Sequence, residues 1–490
     1  MTYPPNAPAA SAAQGAGSAP ARPGPGVPAQ PGHGPGQVPG QVSGQGQVPA
    51  VSPPAAPGVW AQGREVLRRA ATTEPGRLRI LGAVLALLVV AFGAVTAFEV
   101  GDRSSYADDV VGRSQPLSAD AADIYRSLAD ADATAASGFL AGPQESEQIR
   151  RRYADDITTA SRLLVKAAAA TDSDGGSASE IATLNEHLPR YTGLIERARA
   201  ANRQGLPLGG AYLRYANQTM SRDLLPAAER LYAAETARLH EDDDEARAWP
   251  FLSLALGILA LAVLVWAQLR NFRMTNRVFN QGMLAATAAC VVALLWLVTG
   301  HGLARAGLDD ARAHGQESLQ VLNEARIGSL KARANENLTV VARGAVLTED
   351  GKHDKYESDY GSSFATLSKA LAEATRLADD DAGRSPLTEA AARAGEWQKR
   401  HQQARELDDA GDFTGAMNRM IGTTESTGQS FDQVDAALGR ALAHEQDEFT
   451  RAADGGRNAL TGLPLGAAVL GVLAAACAVL GVNRRLSEYR

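Results

Sequence analysis

The stretch from Trp249 to Gly300, WPFLSLALGILALAVLVWAQLRNFRMTNRVFNQGMLAATAACVVALLWLVTG, limits this chain more than any other. Two apolar segments, Phe251 to Ala267 and Gly282 to Thr299, flank a short polar turn that carries Arg270, Arg273 and Arg277 and no acid. A hydrocarbon core about 30 Å thick takes roughly 20 apolar residues of helix to cross. Each segment is about that long, and basic residues beside a span mark its cytoplasmic end. The stretch is therefore expected to form a membrane hairpin with its turn inside the cell. The three arginines of that turn are candidate contacts for a cytoplasmic partner.

Two more apolar blocks complete the pattern. Ile80 to Phe98 follows Arg64, Arg68, Arg69, Arg77 and Arg79 and is followed by Glu99 and Asp102. Leu463 to Val482 is followed by Arg484, Arg485 and Arg490. The same charge rule puts both termini in the cytoplasm. The expected layout is four spans at 80–98, 249–269, 279–300 and 462–482, with a basic segment at 59–79, a basic turn at 270–278 and a basic stub at 483–490. Residues 1–58 are Pro, Gly, Ala and Gln with echoes such as GQVPGQVSGQGQVP. That composition buries too little apolar surface to offset chain entropy, so a disordered cytoplasmic tail is expected.

The polar regions 101–248 and 301–458 must then lie outside. Their apolar residues recur three and four apart among charges, the helical period. In the first region, breaks at Gly142-Pro143, TDSDGG (Thr171 to Gly176) and Gly205 to Gly210 define four helices, an up-down bundle standing on the membrane. In the second, breaks fall at EDGKHD (Glu349 to Asp354), DDDAGRSP (Asp379 to Pro386) and DAGDFTG (Asp409 to Gly415). Tyr191, Ala198-Arg199, Gly205 and Gly209 align at one offset with Trp397, Ala404-Arg405, Gly411 and Gly415. Leu128 and Gly142 align at another with Leu330 and Gly344. The fold class expected is an all-α integral membrane protein, with four spans and two extracytoplasmic four-helix bundles as a tandem duplication.

Several chemistries are excluded. There is no Gly-rich phosphate loop, GxSxG, HExxH or Cys/His metal spacing. The net charge of −7 comes with no basic stripe for nucleic acid. Cys290 and Cys477 lie inside apolar blocks and read as small packing residues. The histidines, His187, His240, His314, His353, His401 and His444 among them, lie singly and read as surface or helix-end residues. No catalytic residue, metal or cofactor is expected. The acidic run Glu241 to Glu245 reads as a solvated flank of the second span rather than a cation site, since adjacent carboxylates on a helix point apart. The span cores hold no ionisable residue, which argues against a transport path. They hold small residues at packing distance, Gly462 with Gly466 and Gly471 with Ala475, which suggest a homodimer.

Candidate contact residues are arginines. Arg150, Arg151, Arg152 and Arg203 sit at an expected outer tip and could receive an acidic partner surface. Arg126, Arg214 and Arg222 lie on the membrane-connected helices and could hold a carboxylate through bidentate bonds. With no cytoplasmic domain large enough for an output, the chain reads as a non-enzymatic signalling component. A structural scaffold of the envelope and a direct small-molecule sensor are the alternatives.

Two passages, IYRSLADADATAASGFLAG (Ile124 to Gly142) and LGGAYLRYANQTMSRDLLPAAERLYAAE (Leu208 to Glu235), together with the layout, resemble the GlnX family of four-span actinobacterial membrane proteins. The resemblance runs from about residue 78 to the end. It implies a relay in which an extracytoplasmic binding protein, GlnH, senses glutamate, aspartate or a related amino acid. The membrane protein passes that state inward, and the soluble Ser/Thr kinase PknG responds.

Overall fold

A computed structural model describes residues 74–142, 145–171, 176–275, 280–422 and 424–486. The expected tail, most of the basic segment before the first span, Arg277 and the last residues of the stub lie outside that set. Every regular element among the described residues is helical. The helices are α1 (Glu74–Asp109), α2 (Gln115–Ala141), α3 (Glu147–Ala170), α4 (Gly176–Arg203), α5 (Leu208–Thr219), α6 (Leu225–Arg247) and α7 (Phe251–Thr275). They continue with α8 (Gln281–Asp310), α9 (Glu317–Ala342), α10 (Lys355–Leu377), α11 (Asp381–Asp409), α12 (Phe413–Ile421), α13 (Thr427–Leu460) and α14 (Leu463–Leu486).

Helix ends carry the chemistry that stops them. Ser146 accepts from the Ile149 N–H, Asp354 from Tyr356 and Glu357, Asp412 from Gly415, and Ser426 from Gln429. Each satisfies amide donors that the first helical turn leaves over. Gly142 closes α2 with a φ of 60°, a conformation that glycine alone adopts without a Cβ penalty.

Three short π-helical segments interrupt the long helices, at Val110–Ser114, Met220–Leu224 and Ala311–Gln316. Pro116 and Pro226 sit in the first turn of the α-helices that resume after the first two. Proline has no N–H to give to the preceding turn and crowds its carbonyl, and a widened turn accommodates both defects. The third segment has no proline. There Gly315 lies so close to Phe449 that a Cβ would come within 2.6 Å of the phenylalanine Cβ.

Despite these segments the long runs are continuous. One helical run extends from Gly76 to Ala141, 66 residues, or about 100 Å at 1.5 Å per residue. Four helices are long and apolar enough to cross a membrane, consistent with a multi-pass membrane protein. Within that set α14 packs on α1 and α8, and α7 on α1 and α8. Leu85, Val89, Leu264, Met283, Cys290 and Ala478 are buried between them. Leu87, Leu252, Ile258, Leu295 and Leu465 face outward, as a lipid-facing surface requires.

The small residues of the spans are used inside the chain. Gly93 and Gly471 meet backbone to backbone, and Gly282 meets Gly481 and the Cys477 carbonyl. Gly466 lies under the Trp296 ring, while Gly462 is a turn residue with a φ of 83°. Gly466, Gly471 and Ala475 thus pack within one copy.

Outside the spans, the two polar regions share a single apolar core. Ile124, Leu128, Leu164, Tyr191 and Leu213 belong to the same buried cluster as Leu330, Leu367, Trp397 and Val434. Helices α2 and α9 pack against each other at its centre. The Asn337 amide there donates to the Ala133 carbonyl at 3.3 Å and to Ser137 Oγ at 2.7 Å.

Candidate functional site

The first functional feature lies where the helices pass from the spans to the polar regions. Helices α6 and α7 meet at an elbow, Ala248 to Pro250. Arg103, on the continuous run that begins as the first span, donates to the Ala248 carbonyl at 2.7 Å and to the Trp249 carbonyl at 3.2 Å. One turn earlier, Glu99 accepts the Ser253 N–H at 2.8 Å and also takes the Ser253 hydroxyl. An acid at a helix start meets both its free donors and its dipole. Two side chains of one span-connected helix therefore hold the end of α6 and the start of α7.

The acidic run just before the elbow is not a simple solvated flank. Asp243 is buried and pairs with Arg247 at 2.9 Å and with Arg312 at 3.5 Å. Burial raises its pKa and Arg247 opposes the rise. Asp244 pairs with Arg312 at 2.6 Å, Arg247 with Asp309 at 2.7 Å, and Asp242 takes the Ser114 hydroxyl. The run fastens α6 to the third π segment and to the end of α8.

Arg152, expected at an outer tip, is committed within the chain. Its guanidinium binds Asp130 on α2 at 2.9 Å and Asp432 on α13 at 3.1 Å. Arg326 on α9 makes a two-pronged bond to Asp435, also on α13. Arg151 pairs with Glu147 one turn away, and Arg150 donates to the Glu145 carbonyl. Arg203 is exposed in the last turn of α4. On the spans' polar side, Arg270 lies over Trp266 at 5.4 Å, and Arg273 is exposed.

The three arginines read as carboxylate ligands are divided. Arg126 pairs with Asp123 at 2.6 Å and borders a groove with Tyr232, Thr236 and Arg326. Arg214 and Arg222 come together in a different groove, of about 500 Å³, between α2, α5 and the following π segment on one side and α9 and α10 on the other.

Each polar region also holds a buried acid that receives an aromatic donor. In the first, Asp132 accepts from Tyr191 Oη at 3.2 Å and from the Asn217 amide at 2.7 Å. In the second, Glu336 accepts from Trp397 Nε1 at 3.1 Å, from Arg333 at 2.5 Å and from His401 Nδ1 at 3.0 Å. His401 Nε2 meets Glu357 at 3.0 Å, and Tyr360 stacks on the ring at 3.8 Å between centroids. A histidine between two carboxylates is an imidazolium donating from both nitrogens. His401 is 3% exposed, a core residue and not the surface residue that its isolation in the sequence suggests. The signal available in the sequence was the pairing of Trp397 with His401 one helical turn apart.

Asp380, His444 and Glu448 lie close enough to share a metal ion. Asp380 Oδ1, however, already takes the Gly383 N–H at 2.7 Å as the cap of α11 and meets His444 Nε2 at 3.2 Å. The trio closes on itself.

These groups fix the sign of the pH dependence. Burial pushes Asp132 up to about 6, against the hydrogen bonds from Asn217 and Tyr191. Burial, with Glu448 beside it, lifts Glu445 to about 7, and burial with Asp130 nearby lifts Asp156 to about 8. Burial alone would lower His401, but Glu336 and Glu357 outweigh it and carry it up to about 9. All four hold protons in the folded state that the unfolded chain releases at lower pH. The His401 contribution is complete below its ordinary value and lost as pH rises through about 9. The melting temperature is therefore expected to fall from about pH 5.5 to about pH 9. His401→Gln should flatten the alkaline part of that curve. A curve that is level or rising over the range would contradict these assignments.

The fold and its polar junctions define a class, an all-helical protein whose long helices join polar helical regions to candidate membrane spans. Residues 106–244 match the model of a family described as an actinobacterial sensor domain. That match fits an actinobacterial sensor protein. No curated protein and no solved structure matches the chain.

Proposed function

We propose that this chain is a non-enzymatic transmembrane signal relay. It would transmit the state of an extracytoplasmic, GlnH-like amino-acid-binding protein to a cytoplasmic Ser/Thr kinase of the PknG type, as the resemblance to the GlnX family implies. The carrying observation is that the sensor-matched region is continuous with the spans. The run from Gly76 to Ala141 enters that region without a break in helix. A small slide or rotation of such a helix at its outer end moves its inner end as well, the shear motion of switching proteins.

In this reading the polar regions lie outside, both termini and the 270–278 turn lie inside, and the two regions are a tandem duplication. Paired features support the duplication. Gly142 and Gly344 both take left-handed backbone, with φ 60° and 73°, as do Gly205 and Gly411, with φ 67° and 83°. The aligned Tyr191 and Trp397 are both fully buried and both donate to a buried acid. Arg270 and Arg273 are the proposed contacts for the kinase. Arg150, Arg151 and Arg203 are the exposed positions for the outer protein.

The Glu99 and Arg103 contacts give the relay a mechanical joint. Glu99→Gln with Arg103→Ala frees the elbow from the first span-connected helix. The double variant is expected to lose the kinase response to added glutamate or aspartate by about fivefold or more, the scale of ordinary allosteric coupling. Its amount in the membrane should stay at the parent level. The comparison is kinase-substrate phosphorylation in a deletion strain complemented with either form. A deletion strain that responds to amino acids as the parent does would sink the relay.

A further inference from the structure

The groove holding Arg214 and Arg222 has a charge pattern that its own residues do not satisfy. Neither arginine forms an ion pair among the described residues, and Arg222 sits on the π segment Met220–Leu224. From the opposite wall comes Lys331, which lies over the Tyr125 ring at 5.3 Å. Burial lowers the Lys331 pKa, with Glu229 as its opposing charge.

Of the three acids in the groove, Asp359 is neutralised by Lys355, while Asp132 and Glu229 take hydrogen bonds from neutral donors and keep their charge. Asp132 is engaged by Tyr191 and Asn217, and Glu229 accepts from Tyr125 Oη at 3.3 Å. Four cations, Arg214, Arg222, Lys331 and Lys355, face three acids, Asp132, Glu229 and Asp359, which leaves one positive charge over, and Asn335 and Ser363 add amide and hydroxyl groups to the lining. A volume of about 500 Å³ falls within the range of small-molecule sites.

We propose that this groove binds a small dicarboxylate, one carboxylate at Arg214 and Arg222 and the other toward Lys331. Such a ligand bridges the two polar regions, because Arg214 and Arg222 belong to one and Lys331 to the other. It makes its full set of contacts only when the regions are closed on each other, so it favours that arrangement over any other. Guanidinium groups suit this task because their planar fork matches a carboxylate. The proposal rests on the sensor reading and adds a direct ligand to it.

The test is calorimetry and thermal melting of the full chain in detergent, with succinate, L-glutamate and inorganic phosphate at matched ionic strength. Succinate should bind with saturation and raise the melting temperature. Arg214→Gln with Arg222→Gln should weaken that binding at least tenfold, and Lys331→Met should weaken it by a similar factor. Arg126→Gln, in the other groove, should leave it unchanged. L-Glutamate binding at the same site supports the same carboxylate chemistry. Three results overturn the proposal: no saturable succinate binding, binding that survives the double arginine variant, or phosphate bound as tightly as succinate.

The outcomes separate the groove from the relay. A double arginine variant that transmits the kinase response normally removes the groove from signalling and leaves the relay standing. Normal succinate binding in a protein whose deletion does not alter kinase activity removes the relay and leaves the groove.

Discussion

Glu336→Ala is expected to be the most damaging single substitution in the second polar region. The carboxylate is fully buried and is the shared acceptor for Arg333, His401 and the Trp397 ring N–H. Arg333 also donates to Thr427 Oγ1 at 2.9 Å and to the Met420 carbonyl at 3.3 Å. One acid thus organises side chains from α9 and α11 and, through Arg333, the end of α12 and the start of α13. Removing it strands a buried guanidinium and half of the imidazolium's pairing. Breaking a buried pair from one side costs about 3–5 kcal/mol. Glu336→Gln keeps an acceptor for Trp397 and should fall between the parent and the alanine form. Denaturant or thermal unfolding of the detergent-solubilised chain checks the order. A loss below about 1 kcal/mol for Glu336→Ala would mean that Arg333 and His401 find other partners.

The second large effect is expected in the spans. A Cβ at Gly282 would lie 2.5 Å from the Gly481 Cα and 2.6 Å from the Cys477 carbonyl oxygen. These are backbone atoms and cannot swing aside as a side-chain end can. Gly282→Leu must push α8 and α14 apart, and Gly93→Leu must do the same to α1 and α14 at Gly471. Association of helices in lipid depends on such close approach, because lipid tails are as apolar as leucine. Overpacking costs about 1–3 kcal/mol even where side chains can adjust, so these backbone contacts should lie at or above that range. Gly302→Ala is the control, because nothing lies within 4 Å of its added carbon. Thermal melts in one detergent compare the three. A parent-like Gly282→Leu would show that α8 and α14 do not meet there.

What could be read from the sequence was local. Hydropathy over a window of about 20 residues marks a span without knowledge of its neighbours, and three-four periodicity marks a helix in the same way. The all-helical class and the four span candidates were therefore legible. The pairings between distant segments were not. Arg152 is 280 positions from Asp432, and nothing near Arg152 indicates that its partner is in the same chain. The acidic run at Glu241 to Glu245 looked solvated because Arg312, which meets it, comes from beyond the next two spans.

The π segments were hidden for another reason. A widened turn shifts helix phase by a residue without breaking it, and a proline such as Pro226 in the sequence is equally compatible with a helix start or a kink. The grooves failed differently again. Arg126, Arg214 and Arg222 looked alike as surface arginines on connected helices. Arg126 has its acid, Asp123, three residues away on its own helix, and Arg214 and Arg222 lie eight positions apart on one helical run. What needs the tertiary packing is the placing of Lys331 opposite those two.

The central claim is a relay, and the direct measurement is crosslinking of the intact protein in its native membrane, with and without glutamate or aspartate, followed by identification of what co-purifies. The account expects a secreted amino-acid-binding protein and a soluble Ser/Thr kinase, with yields that change when the amino acid is added. Recovery of envelope or division proteins alone, unchanged by either amino acid, would contradict it and favour a scaffold.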